Sequence, residues 1–341
     1  MARSARDYDE SDVRIRPNRR GSRPRTKERP AHADAVLGRV LAVDRGRYTT
    51  LVGEGTARRT VLAMRAREIG RKGVVVGDEV HLVGDTSGVD GSLARIVRVS
   101  PRETVLRRSA DDTDPVERVL VANADQLVVV SALADPEPRP RLIDRCLVAA
   151  YDAGMEPLLV LTKADLADPT PFLEDYAPLS VRHVVTSREG GRVLGLDAVR
   201  DALAGRVSVL VGHSGVGKST LVNALVPDAG RATGVVNDVT GRGRHTSSSA
   251  VALPLPDDDG WVVDTPGVRS FGLAHVDLGR IVQHFPDLEP GTAQCPRGCT
   301  HDEEECGLDA WVDSGAAGPA GRSRLQSLRR LLRSRTPVSG D

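Results

Sequence analysis

At 341 residues, with basic and acidic side chains balanced at 47 each, the chain is long enough for two or three domains and carries no net field toward an ion of either sign. A hydrophobic content of 40% supports packed cores. With only 3% aromatics those cores must be Val, Leu, Ala and Ile, and base stacking on aromatic rings is excluded as a dominant mode of nucleic-acid contact. No apolar run approaches the roughly 18 residues needed to span a bilayer, and none follows the Arg- and Asp-rich start. Neither a membrane span nor a signal peptide is expected, and the reading is a cytoplasmic protein.

Residues 1–34 are Arg, Pro, Ser and Asp with almost no apolar content. Such a segment cannot bury enough surface to offset its ordering entropy and is read as a disordered basic tail. From 35 to 108 the texture changes to five β runs: Val36 to Val43, Tyr48 to Val52, Arg59 to Ala63, Glu79 to Val83 and Ala94 to Val99, bounded by turn signals such as Gly77-Asp78 and Asp90-Gly91. Five strands in so short a stretch suit a small closed barrel of the OB type, and by pattern alone an SH3-like barrel fits nearly as well. Residues 109–272 read as α/β. Buried-strand runs at Gln126 to Ser131, Pro157 to Leu161, His183 to Thr186, Arg206 to Val211 and Trp261 to Asp264 alternate with helical spacing at Leu142 to Ala153, Leu196 to Leu203 and Lys218 to Leu225. That alternation predicts a parallel sheet covered by helices, with ligands at the strands' carboxyl ends. Residues 273–335 lose the strand pattern: a helical stretch near Ile281 to Phe285, a Cys/His cluster and a basic helix from Arg322 to Arg333, followed by a short tail at 336–341. Arginines thus crowd both ends of a neutral body, from Arg14 to Arg29 and from Arg322 to Arg335. This favours a polyanionic partner, while a solvated tail and a charged helix face fit the composition equally well.

Four motifs carry chemistry. Gly212, His213, Ser214, Gly215, Val216, Gly217, Lys218 and Ser219, followed by Thr220, match G-x-x-x-x-G-K-[ST] between a strand and a helix, the context in which that pattern cradles phosphates. Its glycines let backbone N–H groups converge on phosphate oxygens at a helix N-terminus. Lys218 would reach the β- and γ-phosphates and Ser219 would hold Mg²⁺. Asp264-Thr-Pro-Gly267 ends a strand and fits D-x-x-G, with Asp264 on the Mg²⁺ side and the Gly267 N–H sensing the γ-phosphate. Thr162-Lys163-Ala164-Asp165 follows a buried strand and fits a base-reading motif. A carboxylate there accepts the N1 and N2 protons of guanine, which points to GTP, and Thr186-Ser187 stands where a backbone contact to the guanine carbonyl is expected. Gly241 to Ser247 is a Gly- and Arg-rich loop, in which Thr246 is a candidate to complete the Mg²⁺ shell; a plain flexible surface loop fits its composition as well.

Cys295, Cys299, His301 and Cys306 place three thiolates and an imidazole within a short stretch, a closed four-coordinate set of the kind that holds structural zinc. Cys146, alone on an apolar helix face, is read as a core residue. In most GTPases the base-reading motif follows the phosphate loop; here it precedes it.

This combination resembles the RsgA (YjeQ) family of circularly permuted GTPases over residues 36–333. The resemblance rests on the order of the motifs and on their flanks: a β-barrel, the base-reading motif at Thr162 to Asp165, the phosphate loop at Gly212 to Thr220, a G-x-G-x-H-T-x switch at Gly241 to Ser247, D-x-x-G at Asp264 to Gly267, then a Cys₃His module. It implies an OB fold and a zinc domain that contact ribosomal RNA, and ribosome-stimulated GTP hydrolysis late in small-subunit maturation by a monomer. Two departures stand out. Thr162 replaces the usual Asn, whose hydrogen bonds brace the base pocket and which a hydroxyl replaces only in part. The zinc spacing is one residue shorter between the first two cysteines and again before the last.

Val268 stands where Ras-like enzymes place a water-orienting Gln, which an apolar side chain cannot replace. His245, beside Thr246, is the candidate for that task; a solvent-exposed loop histidine is the plainer reading. Two other readings start from the same motifs: a permuted GTPase of large-subunit assembly, and a non-catalytic RNA-binding protein with a vestigial nucleotide site. The first lacks this pairing of barrel and Cys₃His module, and intact Lys218, Ser219 and Asp264 oppose the second.

Overall fold

The computed structural model describes residues 32–70, 73–108, 118–227, 250–265, 273, 276–303 and 305–334. Strands β1 (Val36–Asp44), β2 (Arg47–Val52), β3 (Arg59–Arg65), β4 (Glu79–Gly84) and β5 (Ala94–Val99) fall where the turn signals predict them. Their alternation sends Val40, Tyr48, Val61, Ala63, Val80, Leu82 and Ile96 into one enclosed cluster. Each such side chain removed from water contributes about 1.5–3 kcal/mol when large. β1 pairs antiparallel with both β2 and β4, and β3 runs parallel to β5, so the sheet closes on itself in the order β1-β2-β3-β5-β4. This Greek-key closure decides for the OB-type barrel over the SH3-like alternative.

A hairpin follows, β6 (Val105–Arg108) with β7 (Arg118–Ala122). It escaped the sequence reading because its first strand is four residues long and half charged. It is tied back to the barrel at Gly77-Asp78. Gly77 holds φ +88°, and a Cβ there would lie 1.9 Å from the Ala122 carbonyl oxygen, so the close approach requires glycine. Asp78, fully buried, receives Arg102 in a two-point ion pair at 2.6 and 2.8 Å and a third bond from the Val75 N–H. The Arg102 guanidinium is in turn stabilised in its charged form, chiefly by that hydrogen bond.

The second half alternates as expected: β8 (Gln126–Ala132), α1 (Pro140–Asp152), β9 (Glu156–Thr162), α2 (Thr170–Tyr176), β10 (Arg182–Val185), the hairpin β11 (Ser187–Glu189) and β12 (Arg192–Leu194), α3 (Leu196–Leu203), β13 (Val207–Val211), α4 (Lys218–Leu225), β14 (Val251–Pro254) and β15 (Trp261–Asp264). The sheet order is β10-β9-β8-β13-β15-β14, parallel throughout except for antiparallel β14. β14 was missed because its Pro-punctuated run carries no clear period. Its Val251 pairs with Ala42 of β1, which joins barrel and sheet edge to edge. Helix α1 starts on Pro140, which lacks the N–H that would be orphaned there, and stops before Gly154 at φ +70°.

After the sheet come α5 (Leu278–Gln283), α6 (Gly307–Asp313) and α7 (Gly321–Arg333). Their apolar side chains Ile281, Phe285, Leu308, Leu325, Leu328 and Leu331 share one core with Leu147 of α1 and Val129 of β8. The other face of the sheet packs Val128 and Leu210 against Val199 of α3 and Leu221 of α4. Cys146 is 2% exposed inside the first of these cores, where burial pushes its thiol up to about 12.

Candidate functional site

Parallel β8, β9, β13 and β15 end at the same edge of the sheet, so the loops that leave them meet there. β13 delivers Gly212 and the phosphate loop, which turns into α4 at Lys218. A Cβ on Gly212 would sit 2.6 Å from the Val130 carbonyl oxygen, and Gly217 takes φ +92° as the residue capping α4; neither position tolerates a side chain without distortion. Val216 is buried and anchors the loop, while Ser214, Gly215, Ser219 and Thr220 are exposed at its mouth. The His213 ring bonds the Ser214 carbonyl through Nδ1 at 2.9 Å. Its Nε2 is buried over a small cavity shared with Arg139, Ile143 and Cys146, with no partner among the described residues.

The register of β13 and β15 sets Leu210 beside Asp264. The Lys218 ammonium reaches across to donate to Asp264 Oδ1, and Thr265 donates its hydroxyl to the Leu210 carbonyl at 2.8 Å. The cation of the phosphate loop and the carboxylate of D-x-x-G therefore share one mouth. Ser219 opens α4 beside them, and a hydroxyl with a carboxylate is the oxygen donor set that Mg²⁺ takes. Gly267, Val268 and the Gly241 to Ser247 loop, with His245 and Thr246, lie outside the described residues.

β9 delivers the base-reading loop. Thr162 is 7% exposed and donates its hydroxyl to the Val216 carbonyl at 2.6 Å, a direct tie from base loop to phosphate loop. The next residue, Lys163, holds φ +61°, a left-handed conformation that costs a non-glycine residue about 1 kcal/mol or more. It is held there by the Ala164 N–H on the Thr186 carbonyl at 3.1 Å and by a turn from Leu166 back to Lys163. The Lys163 ammonium donates to the Asp135 carbonyl, on the loop between β8 and α1, whose Pro136 packs over Gly215. Asp165 accepts the Arg188 N–H on Oδ1 at 2.8 Å, which fixes the carboxylate next to Ser187 at the start of β11. The three described motifs of the nucleotide reading, with Ser187, thus converge. Asp135, Pro136 and Arg188 were missed; the signal available was their place just after strands at the ligand edge.

The Cys/His group is equally compact. The ligand atoms of Cys295, Cys299, His301 and Cys306 all lie within 4.8 Å of one another. Cys295 Sγ lies 3.9 Å from Cys306 Sγ and 3.5 Å from His301 Nδ1, which is 3.8 Å from Cys306 Sγ. A tetrahedral ion with Zn–S bonds of about 2.3 Å requires edges of about 3.8 Å. The shortened spacing therefore still closes. His301 takes φ +68°, and its carbonyl accepts from Arg329 of α7 at 2.9 Å.

The arginines of the basic helix α7 are paired with carboxylates. Arg322 pairs with Asp313, Arg324 with Asp287, Arg329 with Asp309, Arg330 with Asp144 and Arg333 with Asp302. Arg330 also stacks over the Tyr176 ring at 4.6 Å, and Tyr176 donates its hydroxyl to Asp144 at 3.1 Å. Burial raises the Asp144 carboxyl against the opposing pull of Arg330. Arg330 fastens α7 to α1 and α2, while the other four pair with carboxylates of the C-terminal region itself.

Comparison with known proteins gives one consistent answer. Residues 99–274 match the family model described as RsgA GTPase. A Gemmatimonas aurantiaca protein named small ribosomal subunit biogenesis GTPase RsgA is 37% identical over 270 residues, covering 77% of this chain and 86% of that protein. One of the same name from Chlorobaculum tepidum is 35% identical over 310 residues, covering 88% and 98%. The crystal structure of YjeQ from Thermotoga maritima is similar with a TM-score of 0.63 at 27% identity, covering 88% of this chain and 98% of that one. The structure of YloQ, described as a circularly permuted GTPase, shares the fold with a TM-score of 0.59 at 22% identity, covering 90% and 98%.

Proposed function

Since the chain belongs to the RsgA GTPase family, we propose that it hydrolyses GTP in the maturation of the small ribosomal subunit, with its nucleotide state governing its hold on that subunit. The observation that carries this reading is the tie of Thr162 to Val216, which brings the base-reading loop against the phosphate loop despite their inverted order in the chain. The alternatives of large-subunit assembly and a vestigial site find no support.

In this reading the backbone N–H groups of Gly212 to Lys218 and the positive end of α4 hold the phosphates. Thr162, Lys163, Asp165 and Ser187 frame the base, with Asp165 taking the N1 and N2 protons. The Lys218 ammonium sits where charge builds on the β–γ bridge. Mg²⁺, held by Ser219, Asp264 and Thr246, would neutralise phosphate charge when bound. Gly267 senses the γ-phosphate, and His245 orients the attacking water in the ribosome-bound protein. His245→Ala should then spare GTP binding and abolish ribosome-stimulated turnover; undiminished turnover would remove His245 from the mechanism.

We assign zinc to Cys295, Cys299, His301 and Cys306 as a structural ion, since a closed set with three thiolates suits zinc and leaves no open position for substrate. We divide the chain into a basic tail (1–34), an OB barrel (35–108), the permuted GTPase domain (109–272), a zinc-binding helical domain (273–335) and a short tail (336–341). The barrel and zinc domain are the proposed contacts to ribosomal RNA, and the protein acts as a cytoplasmic monomer. No helix among the described residues is long and apolar enough to cross a membrane. Co-sedimentation with purified small and large subunits tests the assignment. The GTP-analogue form should pellet with small subunits and the GDP form should not; equal pelleting with large subunits would contradict it.

A further inference from the structure

Three consecutive side chains of β1 enter three different cores. Val40 lies in the barrel core, Leu41 in the core shared with α1 and α7, and Ala42 in the core that α3 and α4 cover. The cause is a bulge. Val40 pairs with Thr50 and Ala42 with Thr49, so Leu41 has no residue opposite it on β2 and the strand bends there. Beyond the bulge Ala42 meets Val251 of β14, among the described residues the one strand pair that joins barrel to sheet.

That pair belongs to a row that crosses the sheet to the nucleotide site. Val251 stands opposite Asp264 of β15, Asp264 beside Leu210 of β13, and Leu210 beside Val128 of β8. Ala42, Val251, Leu210 and Val128 share one core, on the face that α4 covers. Asp264 is the polar member of the row, and Lys218, which opens α4, donates to its carboxylate. With neighbouring strands about 4.8 Å apart, Ala42 stands about 10 Å from Asp264. On the side away from β15, β14 is held by Ala42, 4% exposed, against Val251, 9% exposed. A change of volume at either residue is therefore felt in β14 and passed to the backbone of Asp264. Mg²⁺ demands near-ideal octahedral geometry, so a carboxylate displaced by about 0.5 Å holds it less well.

We propose that Ala42 and Val251 are positioning residues for Asp264, so that the seating of the barrel against β14 sets how tightly the nucleotide site holds Mg²⁺. This rests on the Mg²⁺ reading of Asp264 proposed above. The test is equilibrium binding of a fluorescent, non-hydrolysable GTP analogue to the full chain, titrated with Mg²⁺. In the wild-type chain Mg²⁺ should raise affinity for the analogue. Ala42→Leu, which overfills the row, and Val251→Ala, which thins it, should raise the half-saturating Mg²⁺ concentration at least about fivefold. Affinity without Mg²⁺ should stay within about twofold of wild type. Val61→Ala is the control: it opens a hole in the barrel core away from the row. It should lower Tm while leaving the Mg²⁺ dependence within about twofold. A folded Ala42→Leu or Val251→Ala chain with wild-type Mg²⁺ dependence overturns this proposal alone. So does Val61→Ala if it shifts that dependence as far, since general loosening would then be the cause. A wild-type chain whose affinity ignores Mg²⁺ overturns the Asp264 reading and this proposal with it. If Ala42→Leu does not fold, Val251→Ala decides by itself.

Discussion

The nucleotide site and the Cys₃His cluster are built in opposite ways. The first draws Thr162, Asp165, Lys218 and Asp264 from the ends of three strands that only sheet topology brings together, and Ser214, Gly215 and Ser219 of its loop stand open to solvent. The second takes all its ligands from one short segment, then depends on α7, arriving from beyond it, to hold that segment against α1. A site gathered across a sheet is insensitive to where the chain is cut, which is why inverted motif order leaves its geometry intact. A site gathered along the chain owes its position to the ion pairs and core that seat it.

The two regions should therefore fail differently. Lys218→Ala should lower GTP turnover by at least about 10³-fold with unchanged far-ultraviolet circular dichroism, because it removes charge at the phosphates and nothing from either core. A folded variant with near-normal turnover would break the assignment. Removing the metal with a chelator should do the reverse, lowering Tm by more than about 5 °C while GTP affinity moves by less than about threefold. Emptying of the nucleotide site would show that the two regions are one unit.

Asp144→Ala sharpens the contrast at the seam. It leaves Arg330 facing a buried gap on α1 and should cost about 2–4 kcal/mol in urea denaturation, whereas Asp144→Leu with Arg330→Met should recover most of that loss. A cost under about 0.5 kcal/mol for the single change would mean that this pair does not fasten α7 to α1. The smallest effect is one of pH. His284 stacks on Tyr151 of α1 at 4.4 Å, and burial lowers its pKa below the ordinary 6.5. The folded state thus prefers the neutral ring. The stability it contributes is present above about pH 6.5 and is lost as pH falls below that value, where the unfolded chain takes up the proton first. Stability should decline from pH 7.5 to 5.5, and His284→Gln should flatten that slope; an unchanged slope would assign it to other groups.

Much of this was legible from local pattern. The barrel strands announced themselves by alternation between turn residues, α1 by its spacing and Gly154, and the phosphate loop by glycines, of which Gly212 has no room for a Cβ and Gly215 and Gly217 take positive φ. The Cys₃His set needed only proximity along the chain. Other features were invisible because their partners come from afar. Nothing near Arg330 in sequence names Asp144, so a helix that reads as a basic face is an anchored one. Thr162 read as a deficient asparagine until Val216 appeared opposite its hydroxyl. Strands β11, β12 and β14 are short or broken by Gly and Pro, and only pairing defines them.

The central claim, that this inverted GTPase answers to the small ribosomal subunit, is tested most directly by initial rates of GTP hydrolysis by the full chain alone, with small subunits and with large subunits. The account predicts slow turnover alone, at least about tenfold stimulation by small subunits, and none by large ones. Turnover that is indifferent to small subunits, or raised equally by large ones, would contradict it.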